Sequence, residues 1–181
     1  MKKYIPTFFL LCIVACTSFS CIVNTEKGVS FDIATFNAQK EKWQASGIKE
    51  YLFEYEVGPD FDPSEIKGSV SVKTDETIAV IESKDRTKYP DRKVSKDDKY
   101  YFENIDKIFD LIYSEYEYAF KTINSGDYEY IEIVCTYDSK YGYPNHIYIL
   151  AHGGTKYKPA NGAKGSSNGY YNFRMKKFSA E

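Results

Sequence analysis

Apolar residues recur at three- and four-residue intervals through Ile105, Ile108, Phe109, Ile112, Tyr116 and Phe120. That spacing lines one face of a helix, and Asn124, Ser125 and Gly126 supply its end. A shorter helix is predicted from "FDIATFNAQKEKWQASG", where Phe36 and Trp43 stand seven apart on one face and Gly47 is placed as a stop. Elsewhere the period drops to two. Tyr51, Phe53, Tyr55 and Val57 alternate with Glu54 and Glu56, as in a half-buried strand. "EIKGSVSVKT" keeps Ile66, Val70 and Val72 in phase, and "TIAVIES" reads as the next strand. "YEYIEIVCTYD", the loop "SKYGYPN" and "HIYILA" read as an antiparallel hairpin. A final strand is expected in "YYNFRMKKF".

The predicted order is helix, three strands, helix, two strands, long loop, strand. Short connections favour neighbours in sequence as neighbours in space. The expectation is an α+β fold: an antiparallel meander sheet of about six strands with two helices packed on one face. Residues 31–181 would form this single domain. The polar, lysine-rich stretch 84–99 and the glycine-rich stretch 153–169 read as loops.

The first thirty residues follow a different rule. Lys2 and Lys3 precede an apolar run from Tyr4 to Ala15. This run is shorter than the roughly 20 residues a spanning helix needs, so residues 1–15 read as an export signal. It ends Ile13-Val14-Ala15-Cys16, which resembles a bacterial lipobox, with an aliphatic residue three before the cysteine and a small one just before it. The resemblance implies cleavage before Cys16 and acylation of its thiol. Cys21 ranks second, because the residue three before it is Ser18; Cys12 follows the bulky Leu11. Residues 16–30 would then be a tether. Each buried CH₂ contributes roughly 0.8 kcal/mol, so a multiply acylated terminus would stay in a membrane. Thr17, rather than an aspartate, follows Cys16, which leans the expected location toward the outer membrane.

Charge then narrows the partners. The chain has 24 Lys and Arg against 26 Asp and Glu, and the signal would take two lysines with it. Without a basic field, nucleic acid is not an expected partner. The chain carries 18 Tyr and 12 Phe but one Trp. Amphipathic strand faces account for most of these, and a tyrosine-lined surface for a peptide or glycan is the functional alternative.

Catalytic patterns are missing. There is no Gly-x-Ser-x-Gly or His-Glu-x-x-His. His146 and His152 share a strand face but lie roughly 20 Å apart, too far for one metal ion with ligands at about 2.1 Å. "NGAKGSS" breaks the phosphate-loop pattern, and "DFDPSE" lacks the central glycine of a calcium loop. Cys135 sits mid-strand among apolar residues, as a buried free thiol would; a pairing with Cys21 would need the tether to fold back. No cofactor and no metal are expected. In "YDSKYGYPN", Gly142 permits positive φ, Pro144 suits a strand's first residue, and Asp138 can accept loop N–H groups. A fold-specifying turn is the primary reading, with Tyr141 and Tyr143 as contact residues if the loop binds.

These residues resemble a family. Trp43 followed by Tyr51, Phe53 and Tyr55 is similar to its opening pattern. Tyr137 and Asp138, then Gly142, Tyr143, Pro144 and Ile147, are similar to its closing hairpin. The family is the bacterial domain of unknown function 6174, many of whose members are lipoproteins. The resemblance spans roughly residues 36–149 and implies no activity. The expected function is therefore a lipid-anchored cell-envelope protein without catalysis, holding an envelope protein, peptide or glycan through Tyr141, Tyr143, His146 and Tyr157. A hydrolase using Asp138 and His146 is the alternative.

Overall fold

The structure, a computed structural model, describes residues 24–26, 28–58, 66–74, 77–83, 101–154 and 167–180. Cys16, Cys21, Tyr157, the stretch 84–99 and most of the glycine-rich stretch lie outside the described residues. The elements run β1 (Asn24–Glu26), β2 (Val29–Phe31), α1 (Ile33–Ala45), β3 (Tyr51–Gly58), β4 (Ile66–Val72), β5 (Thr77–Ser83), α2 (Ile105–Asn124), β6 (Tyr130–Tyr137), β7 (Pro144–His152) and β8 (Ser167–Ala180).

The fold is α+β, as the periodicities indicate, but the sheet is not a six-stranded antiparallel meander. Among the described residues it has eight strands in the order β1-β2-β6-β7-β8-β3-β4-β5. Two antiparallel meanders, β3-β4-β5 and β6-β7-β8, join edge to edge along β8. The 14-residue length of β8 makes this possible. Its first half pairs with β7, from Ser167 opposite His152 to Arg174 opposite His146. Its second half pairs with β3, out to Ala180 opposite Tyr51. The sheet is mixed because β2 pairs parallel with β6, Val29 opposite Ile131. β1 and β2 take residues 24–26 and 29–31 into the sheet, all but Phe31 from the stretch 16–30 read as a tether. Val29 and Phe31 are buried there, so the apolar alternation was present but only three residues long.

Both helices cover one face. Alternate residues of β3, Tyr51, Phe53, Tyr55 and Val57, are buried beneath them together with Ile131, Ile133, Ile147, Ile149, Tyr171 and Phe173. Phe36 of α1 meets Phe31 of β2 and Phe109 of α2 at ring separations of 5.5 and 5.7 Å. Trp43 meets Tyr51 edge-on at 5.3 Å. Asp32 caps α1, its carboxylate accepting from the Thr35 N–H at 2.9 Å, and Asn104 caps α2 through the Lys107 N–H at 2.9 Å. Two strand tyrosines do what phenylalanines could not. Tyr51 Oη accepts from the Ile105 N–H (3.2 Å) and Tyr55 Oη from the Phe102 N–H (3.4 Å), satisfying buried donors at the approach to α2. Burial pushes the Tyr51 hydroxyl up to about 12.

Candidate functional site

The β6–β7 turn is built as a clamp on α1. Asp138 Oδ1 accepts from the Lys140 and Tyr141 N–H groups at 2.9 and 2.6 Å. The backbone closes with Asp138 N donating to Tyr143 O (2.8 Å) and Gly142 N to Asp138 O (3.0 Å). Lys42 on α1 donates its ammonium to Ser139 O at 2.6 Å. Gly142 has φ +83° and lies directly against the helix. Tyr143 is 9% exposed, with its ring 4.4 Å from Phe178 and 6.3 Å from Trp43. Burial, reinforced by the neighbouring Asp138 carboxylate, pushes its hydroxyl up to about 12. Tyr143 is therefore part of the core. Tyr141 is half-buried against Phe178, with the Lys140 ammonium 4.5 Å from its ring centre.

Asp138 and His146 have different partners. The aspartate serves the turn, while His146 Nε2 lies 3.2 Å from Asn172 Oδ1 on β8. His146 also stacks on Tyr148 at 6.4 Å, and His152 lies 5.4 Å from Tyr130. These residues belong to the sheet face opposite the helices. Among the described residues, no three of His, Cys, Asp and Glu converge as metal ligands would.

A second location comes from the sheet edge. Ile131 N donates to Gly28 O at 2.8 Å, so β6 aims the backbone groups of Ile131, Ile133, Cys135 and Tyr137 away from β7 and toward β2. The register with β2 ends at Ser30 opposite Glu132. Beyond it the chain leaves the sheet at Asp32 and enters α1. The second half of β6, through Tyr137, thus has no strand on that side among the described residues. A groove of about 310 Å³ runs there, lined by Phe31, Asp32 and Thr35 on one wall and by Glu132, Cys135 and Tyr137 on the other. Among the described residues, no Lys or Arg lines it. Val134, in the same lining, is 39% exposed.

The Cys135 thiol is free. Its side chain follows Ile131 and Ile133 toward the helix-covered face, and burial pushes the thiol up to about 12. The thiolate is the nucleophile, so burial leaves Cys135 much less reactive near pH 8 than an ordinary cysteine. We expect iodoacetamide at pH 8 to leave Cys135 unmodified in the folded chain and to modify it rapidly in guanidinium chloride. Mass spectrometry of the Cys135 peptide reads the difference; fast labelling without denaturant would contradict the placement.

The groove was not visible from the sequence. It joins Asp32 to Glu132 across a hundred residues of chain. Its one readable signal was the Asp32-x-x-Thr35 helix start.

The family model DUF6174, described as a family of unknown function, matches residues 35–153, and the chain belongs to that family. The match runs from α1 to the end of β7, leaving β1, β2 and β8 outside it. No curated protein and no solved structure matches the chain.

Proposed function

We propose that this member of the DUF6174 family is a lipid-anchored domain of the bacterial cell envelope that works by binding rather than by catalysis. One observation carries the binding half: the half-paired edge of β6 with its groove. Unpaired strand edges template further strands, and proteins ordinarily blunt or cover them. Among the described residues the edge stands beside a groove walled by the start of α1. The partition of Asp138 and His146 between different partners supports the same reading. The anchoring half rests on the Ile-Val-Ala-Cys motif ending at Cys16, after an apolar run of signal length. Among the described residues no helix is long and apolar enough to cross a membrane. On this reading acyl chains at Cys16, rather than Cys21, hold the domain at the membrane, with the outer membrane favoured.

The intact mass of the chain extracted from membranes of its host tests the anchor. The expected mass is that of residues 16–181 plus acyl chains. An unacylated mass would reject the anchor and make this a freely exported domain. Equilibrium binding to envelope extract tests the work. A saturable protein partner is expected; its absence would count against a binding role.

A further inference from the structure

We propose that the β1–β2 ribbon shortens the link to the acylated cysteine so far that the sheet stands with its β1 end toward the lipid surface and its β5 end away from it. The inference rests on the lipid-anchored reading above and adds which side of the domain faces the membrane.

The length of free chain decides the matter. As a tether, residues 16–30 would let Phe31 lie up to about 54 Å from Cys16, at no more than about 3.6 Å per residue. A domain on so long a link could turn either end to the bilayer. The structure instead brings the chain into the sheet at Asn24, so that only residues 17–23 remain between the sheet and Cys16. By the same rule Asn24 lies within about 29 Å of Cys16. Among the described residues β1 and β5 are the two ends of the sheet, and strand spacings of about 4.8 Å put them roughly 34 Å apart. To set β5 against the lipid with β1 away from it, the link would have to span the width of the sheet. Even fully extended it is shorter than that.

The ribbon is fixed to the core and cannot serve as slack. Val29 and Phe31 are buried. The Phe31 ring packs on Phe36 of α1 at 5.5 Å and on Tyr116 of α2 at 5.1 Å. Gly28 O accepts from the Ile131 N–H at 2.8 Å. Gly28 itself has φ +83°, and a Cβ there would stand 2.7 Å from Glu129 O, so the turn between β1 and β2 is seated on backbone. β1 then pairs along β2, from Glu26 opposite Val29 to Asn24 opposite Phe31. Drawing residues 24–31 into the link would expose two core side chains and leave the Ile131 N–H without its acceptor.

The test uses the isotope-labelled acylated chain, purified from membranes of its host and checked by intact mass. It is placed in bicelles of zwitterionic lipid with a gadolinium chelate on some of the headgroups. Paramagnetic broadening of the amide signals reads distance from the lipid surface. It should be at least about fivefold stronger at Thr25 and Ser30 than at Ile78 and Ala79, given the roughly 34 Å between the ends of the sheet. A flexible Gly-Ser spacer of about fifteen residues between Cys21 and Ile22 restores the slack and should bring that ratio below about twofold. The spacer lies outside the sheet and leaves its fold untouched.

Equal or reversed broadening at the two ends of the natural chain would overturn the orientation. An undiminished gradient in the spacer variant would overturn the link as its cause. If the mass shows acyl chains and no amide is broadened, the domain stands off the membrane; this inference then fails and the anchor stands. If the mass shows no acyl chains, the anchor fails and this inference fails with it.

Discussion

Gly68→Ala is expected to cost about 3 kcal/mol or more of folding stability, a large share of the 5–15 kcal/mol that holds a typical domain together. The reason is space, not backbone conformation. Gly68 on β4 stands opposite Tyr55 on β3, and the Tyr55 ring lies across it. A Cβ at Gly68 would overlap the ring at Cε1 and Cζ, so the ring has to leave its place. It has nowhere to go. Tyr55 is 1% exposed and stacks on Phe53 at 5.9 Å and Phe173 at 5.6 Å, with Phe102 edge-on at 5.2 Å. Moving it also removes the Tyr55 hydroxyl from the Phe102 N–H. Overpacking alone typically costs 1–3 kcal/mol, and the displaced aromatic contacts add to it. Urea unfolding followed by circular dichroism measures the change. A second variant isolates the cause. In a Tyr55→Leu background the same alanine should cost much less, giving a coupling of at least about 1 kcal/mol. Additive costs would show that the glycine matters for some other reason.

Gly142→Ala should cost about 2–4 kcal/mol, through two independent penalties. At φ +83° a side chain meets the following carbonyl, a cost of roughly 1–2 kcal/mol. In addition the new Cβ would stand 2.7 Å from Gln39 O and 3.1 Å from Lys42 Cβ. Helix backbone does not yield, so the turn must lift from α1. Lifting it stretches the Lys42–Ser139 hydrogen bond and separates Tyr143 from Trp43. Because Trp43 is the chain's one tryptophan, its fluorescence reports the event. A lower urea midpoint together with red-shifted native emission is expected. An unchanged emission maximum would mean the turn is not seated on α1 as described.

The parts that could be read from the sequence are those whose signal is local. The α2 stripe from Ile105 to Phe120 and the alternation in β3 are periodicities within one element. The β6–β7 hairpin is marked by Gly142 and Pro144 at its turn. What escaped depends on pairing between distant segments. β1 and β2 are three residues each, too short for a period to register, and the parallel pairing of β2 with β6 joins Val29 to Ile131. The place of β8 between β7 and β3 follows from its length and register, which "YYNFRMKKF" does not reveal. The packing of Tyr143 is hidden in the same way: a tyrosine in a glycine-proline turn gives no sign that Trp43 and Phe178 lie around it. His146 likewise looked available to Asp138 across the hairpin, but the neighbouring strand offers it Asn172.

The open half of β6 carries the functional account, and amide hydrogen exchange of the free protein tests it most directly. Val134 and Thr136 face β7 and should exchange slowly, since their N–H groups lie inside the ladder. Cys135 and Tyr137, between and beside them on the same strand, should exchange at least about tenfold faster because no strand among the described residues covers that side. This alternation is the predicted result. If Cys135 and Tyr137 are as protected as Val134 and Thr136, the edge is already occupied in the free protein, and the groove is not a site awaiting a partner.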